Sequence, residues 1–286
     1  MKKPYRMNTR RKLAIATWSS PREGNIYGKL TIDATNALAY LQDLNQKTGI
    51  KTTITHLVGR ATGLALKSAP DLNGRIVFGG YVPHETVDLA FLVALPHNQD
   101  LAKFKVCNID QKTTTQIAQE LHDGSERLRA GKDANFEKSK SLLNILPTWL
   151  IRPLLWLTGY VTGALGYEVK ALGLEAFPFG AAIITSVGML GIDEGYAPPT
   201  PFARVPVYLA ITQIKQRVVV YEGEIAIRPQ LDIMATVDHR FMDGYQGGML
   251  VRKLKQYLEN PETMDASPEQ TSAALLDSLT NFPALA

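Results

Sequence analysis

Hydrophobic and polar positions along this chain change period several times, and the changes divide it into strands and helices. Ile26, Gly28, Leu30 and Ile32 alternate with Tyr27, Lys29 and Thr31, which predicts a strand over Ile26–Asp33. Ala34–Thr48 reads as a helix ended by Gly49. A second helix is predicted over Thr53–Ser68, because Ile54, Leu57, Val58, Ala61, Leu64 and Ala65 recur at helical spacing and Pro70 stops it. Strand-like runs follow at Arg75–Val82, Thr86–Leu95 and Leu101–Cys107, then an amphipathic helix at Thr113–Ala130. After Gly180 the pattern returns to strands at Ala181–Val187, Val205–Ile214, Val218–Tyr221 and Leu231–Asp238, and Tyr245–Glu259 closes as a helix. Residues 8–18 read as an N-terminal helix or arm. Strands cluster in two halves and do not alternate with helices, which argues for a mixed α/β domain and against a doubly wound sheet.

Between these halves the character changes. Leu142 to Leu165 carries one charge, Arg152, with Trp149, Trp156 and Tyr160 spread through it. Pro147 and Pro153 interrupt the run, so one straight spanning helix is not expected. A buried helical hairpin, an oligomer contact, a channel for a long acyl chain and an interfacial membrane contact through 142–165 all fit; the membrane contact is preferred over the oligomer contact. The tail 261–286 is polar and then weakly amphipathic.

Composition narrows the classes. The 286 residues are 45% hydrophobic and 20% charged with a net charge of +4, too mild a basic excess to argue for nucleic acid. A single cysteine, Cys107, excludes an internal disulfide and a cysteine-based zinc site, and His56, His84, His97 and His122 show no metal spacing. No apolar signal region follows the basic start, so a reducing, cytoplasmic setting is expected, peripheral on the membrane if the apolar segment binds there.

Candidate chemistry concentrates at the end of the last predicted strand. His239 stands there, with Asp243 four residues on and Gly244 after it. A strand end often presents its side chain to a cleft, a returning carboxylate would brace the loop, and glycine tolerates backbone angles that other residues resist. On its own, a lone histidine is more often a hydrogen-bonded structural one.

The segment Asp238-His239-Arg240 with Asp243-Gly244, then Gly247-Gly248-Met249-Leu250, resembles the catalytic signature of the acyltransferase component of 2-oxoacid dehydrogenase complexes. Ile183-Ile184-Thr185-Ser186-Val187-Gly188, Glu222-Gly223-Glu224-Ile225, Pro70-Asp71-Leu72-Asn73 and Val87-Asp88-Leu89-Ala90 resemble other stretches of that family in the same order, over about residues 8–137 and 177–260. The resemblance implies a chloramphenicol-acetyltransferase-like mixed sheet with flanking helices, as a single catalytic domain over 1–286 with an apolar helical insertion at 138–176. It implies transfer of an acyl group from a thioester, with His239 as base, Asp243 as an ionic brace and Thr185 as the hydroxyl that stabilises the oxyanion. Ser186 and Gly244 are secondary candidates; neighbours on a strand face opposite sides, so only one of Thr185 and Ser186 can serve. Arg22 is the nearest candidate for an ionic partner of Asp243, and Arg240 is expected to pair locally.

The same resemblance implies a homotrimer, or a multiple of trimers, whose sites take the histidine from one chain and the hydroxyl from its neighbour. No tightly bound cofactor is expected; CoA thioesters and lipoyl groups enter as substrates. Family-like sequence begins within about ten residues of Met1, so a stand-alone domain is expected, its acyl carrier or CoA donor arriving in trans. Alternative readings are a CoA-dependent acyltransferase acting on a lipid or other small acceptor, and a non-catalytic trimeric scaffold.

Overall fold

The computed structural model describes residues 24–94, 101–133 and 146–264. The expected arm at 8–18, Arg22, His97, the start of the insertion and the tail beyond 264 lie outside them. Nine strands are described: β1 (Asn25–Asp33), β2 (Gly74–Val77), β3 (Gly80–Pro83), β4 (Leu89–Ala94), β5 (Leu101–Val106), β6 (Ala182–Ser186), β7 (Val207–Ile211), β8 (Lys215–Tyr221) and β9 (Glu224–Asp238). The α-helices described are α1 (Thr35–Thr48), α2 (Ile54–Lys67), α3 (Thr114–Arg129), α4 (Thr148–Gly159) and α5 (Gly244–Glu259).

Seven strands form one mixed sheet in the order β1-β9-β7-β6-β4-β5, with β8 added to β9. β6 runs parallel to β4 and β7, whereas β9 is antiparallel to β1, β7 and β8. This is the mixed sheet with flanking helices that the resemblance implied.

The alternation in β9 sorts the two faces. Leu231, Ile233 and Val237 join the main core with Ile184, Leu209 and Ile211, under α2 and α5, which pack on each other. Asp232 and Thr236 point the other way and are fully buried. There Asp232 accepts from Thr31 Oγ1 at 2.7 Å and pairs with Arg217 at 2.7 Å and Lys29 at 3.2 Å. Burial alone would raise this carboxyl, but those donors outweigh it and hold it below the ordinary carboxylate value.

Two elements differ from the expectation. Arg75–Val82 is not one strand but a hairpin, because Val77 pairs with Gly80 across a two-residue turn. Phe78 and Gly79 both take positive φ, 49° and 80°, as a type I′ turn requires. The last strand is twice as long as expected: β9 starts at Glu224, and its first residues pair only with β8. Since β1 joins β9 only from Gln230 onward, β8 and the start of β9 form a two-stranded arm beyond the main sheet. Val218 pairs with Ile227 and Val220 with Ile225, and all four are exposed on one face of the arm.

Within the insertion, α4 starts after Pro147, carries Pro153 in its interior and runs into a π-helical turn at Tyr160–Ala164. Among the described residues no helix is long and apolar enough to cross a membrane.

Candidate active site

β9 delivers His239 one residue beyond its end, at an exposed position. The loop is held from three sides. His239 N donates to the Gly24 carbonyl at 3.1 Å, which ties it to the entry of β1. Phe241 and Met242 are buried in the main core. Asp243 is the N-cap of α5: its Oδ1 accepts from Tyr245 N at 2.8 Å and Gln246 N at 3.2 Å, and Gln246 Oε1 accepts from Asp243 N at 2.8 Å. This capping box satisfies the free amides at the helix start.

The Met242 carbonyl oxygen lies 2.7 Å from His239 Nδ1. A carbonyl only accepts, so Nδ1 carries the proton and the neutral ring presents its lone pair at Nε2. Nε2 has no partner among the described residues, which leaves it available to take a proton from a ligand.

Asp243 braces the loop through hydrogen bonds, and its expected ionic partner, Arg22, lies outside the described residues. One expectation changes here. Gly244 does not use a left-handed backbone; it is the first residue of α5, and a Cβ there would meet nothing within 4 Å. Arg240 pairs locally, with Nε 3.0 Å from both oxygens of Asp238. The Met242 carbonyl, Gly24 and Gln246 were missed in the sequence. Only Gln246 carries a signal, since Asp243-x-x-Gln246 has the spacing of a capping box.

Thr185 and Ser186 lie on opposite faces of β6. Ser186 lines a cavity of about 750 Å³ on the helix side, with His56, Phe91, His122 and Met189. Thr185 shares the other face with Ile183, which packs against Ala90 and Tyr208. Neither hydroxyl is engaged by another described residue. Thr185 registers with Ala210, and Ala210 with Met234, so His239 lies five residues further along β9 and two strands across. At 3.3–3.4 Å per residue and 4.7–4.9 Å between strands, that is roughly 19 Å within one chain. A single subunit does not bring the two together.

Among the described residues there is no group of three side chains able to hold a metal ion. Burial lowers His56 to about 4, and burial helped by Arg75 does the same to His84. His56 Nδ1 accepts from Thr53 N at 3.1 Å and so serves its own helix start. Burial pushes the Cys107 thiol up, away from the reactive thiolate.

Fold and site together define the class: an α/β protein that holds an exposed imidazole of fixed tautomer beyond the end of a central strand. The chain belongs to the family of 2-oxoacid dehydrogenases acyltransferase (catalytic domain), whose family model matches residues 4–144 and 168–266. It is 24% identical over 231 residues to the probable dihydrolipoyllysine-residue succinyltransferase component of the mitochondrial 2-oxoglutarate dehydrogenase complex of Schizosaccharomyces pombe, covering 79% of this chain and 41% of that protein. It is 26% identical over 222 residues to the dihydrolipoyllysine-residue acetyltransferase component of the acetoin cleaving system of Bacillus subtilis, covering 77% of this chain and 44% of that protein. The chain thus spans less than half the length of these relatives.

Among solved structures, a probable dihydrolipoamide acetyltransferase from Listeria monocytogenes superposes with a TM-score of 0.66 at 18% identity, covering 90% of this chain and 94% of the other. A structure concerned with the roles of a serine, a histidine and an asparagine in the mechanism of Azotobacter vinelandii dihydrolipoamide acetyltransferase gives 0.63 at 19% identity, covering 91% and 88%.

Proposed function

We propose that this protein transfers an acyl group between a thioester and a thiol, with CoA and a lipoyl-type group as the exchanging partners. The observation that carries the reading is the His239 Nδ1–Met242 carbonyl bond, which leaves Nε2 as a free base beyond a central strand. Nε2 takes the proton of the incoming thiol, and the thiolate attacks the thioester carbonyl carbon. A hydroxyl hydrogen bond stabilises the resulting oxyanion. The intermediate collapses by breaking the bond to the first sulfur, which leaves with the proton returned from His239. Among the relatives, the A. vinelandii enzyme offers a parallel, since the asparagine studied there follows the histidine by four residues, as Asp243 follows His239 here.

Thr185 is the hydroxyl we assign, donated by a neighbouring subunit. The reason is geometric: within one chain Thr185 and His239 stand at opposite ends of the sheet. The apolar face of the arm, Val218, Val220, Ile225 and Ile227, suits a subunit contact in a closed homotrimer.

Chromatographic detection of S-acyl-dihydrolipoamide formed from a panel of acyl-CoAs and dihydrolipoamide tests the reading. Transfer by the parent and its loss in His239→Ala are expected. Transfer that proceeds equally well without the imidazole would contradict it.

A further inference from the structure

α4 has one side fastened to the protein and one side bare. On the fastened side Ile151 is fully buried. A Cβ at Gly159 would collide with the Phe202 carbonyl, so the helix lies directly against that backbone. Arg75 Nε donates to the Ala164 carbonyl at 2.8 Å, and Phe177 N donates to the Thr162 carbonyl at 3.0 Å. The Arg204 guanidinium lies 4.8 Å from the centre of the Tyr160 ring and 5.7 Å from that of Trp156. These two rings stack at 6.1 Å. The helix is therefore docked in one orientation.

Its bare side is apolar. Trp149 and Trp156, and Leu150 and Leu157, are each seven residues apart, two helical turns, so all four share one side. Trp149 is 75% exposed, Trp156 61% and Leu157 57%. Phe78, at the tip of the β2–β3 hairpin, is 86% exposed and meets Tyr160 edge-on at 6.1 Å. Residues 145–167 fall between the two stretches that the family model matches, so the shared fold does not account for this surface.

We infer that this side of α4, with Phe78 beside it, seats the protein on an anionic lipid bilayer. Three observations select lipid as the occupant. Exposed tryptophans beside leucines are the composition of a membrane–water boundary, where an indole meets acyl chains on one side and water on the other. Leu142 to Leu165 carries one charge, the cation Arg152, and no aspartate or glutamate, so nothing acidic in the segment opposes an anionic surface. Pro153, which lacks the N–H that would bond the Trp149 carbonyl, and the short length of α4 suit an element lying in the interface and not across it.

Flotation of the full chain with vesicles of phosphatidylcholine, with and without phosphatidylglycerol, tests this. The parent should rise with the phosphatidylglycerol vesicles. Trp149→Glu/Trp156→Glu should bind them at least roughly tenfold more weakly while its mass by light scattering stays that of the parent. Arg152→Glu should bind phosphatidylglycerol vesicles roughly tenfold more weakly. If the double variant is insoluble, Arg152→Glu decides alone. A parent that stays in the soluble fraction with both vesicles overturns the inference. So does either variant floating as the parent does, or a double variant of lower mass, which would make this side a subunit contact.

Discussion

His239 becomes chemically defined through a neighbour that has no side-chain identity, the carbonyl of Met242. Backbone acceptors are invisible in a sequence, so the histidine could be found in Asp238–Gly244 but its tautomer could not. Asp243 was legible as a brace, and the geometry adds that its carboxylate caps α5. Two substitutions separate these roles. His239→Ala should lower kcat by at least roughly 10²-fold with little change in Tm, since the exposed ring takes part in proton transfer and not in packing. Asp243→Ala should cost about 1 kcal/mol of stability and lower kcat with it, whereas Asp243→Asn keeps a capping oxygen and should retain both. Tm and kcat measured on the three variants decide the matter; an Asn variant as damaged as the Ala one would assign Asp243 a role through its charge. The choice between Thr185 and Ser186 was limited by alternation to one of the two, and only the strand register shows that Thr185 faces away from the helix-side cavity. Thr185→Ala should lower kcat by roughly 10²-fold and Thr185→Ser should restore it. If Ser186→Ala is the damaging change instead, the hydroxyl comes from the other face of β6.

At the scale of elements, helices and central strands were legible because each buries one side, and burial imposes a period. The β2–β3 hairpin was not, because Arg75–Val82 is rich in strand-forming side chains and its turn places a phenylalanine at φ 49°. The arm was underestimated for a related reason: Ile225 and Ile227 alternate correctly but face no core of their own chain. The α2 start yields a pH prediction. His56 and His84 are held neutral, each lowered to about 4, whereas an unfolded histidine titrates near 6.5. As pH falls below 6.5 the unfolded chain binds protons that the folded chain refuses, so stability present above that value is lost down to about 4. The expected loss between pH 7 and pH 5 is on the order of 1–2 kcal/mol per histidine. His56→Gln keeps an acceptor at the third helical position and should flatten its share of the profile. Thermal melts of parent and variant at the two pH values check this; equal slopes would show that His56 does not carry the effect.

The whole molecule raises the question the single chain leaves open. Family and fold class were legible in local motifs, but strand order and the placement of the site were not, because they depend on how β6 and β9 register across the sheet. That register puts Thr185 and His239 roughly 19 Å apart, so the mechanism proposed above has base and oxyanion donor meeting between copies of the chain. Co-assembly of two differently tagged variants tests this most directly. His239→Ala and Thr185→Ala are each expected to be nearly inactive as homotrimers. Over all trimers assembled at random from equal amounts, roughly one interface in four joins an intact His239 from one chain to an intact Thr185 from another, so about a quarter of parental activity should return. Mixed trimers no more active than the two parents would contradict a site shared between subunits.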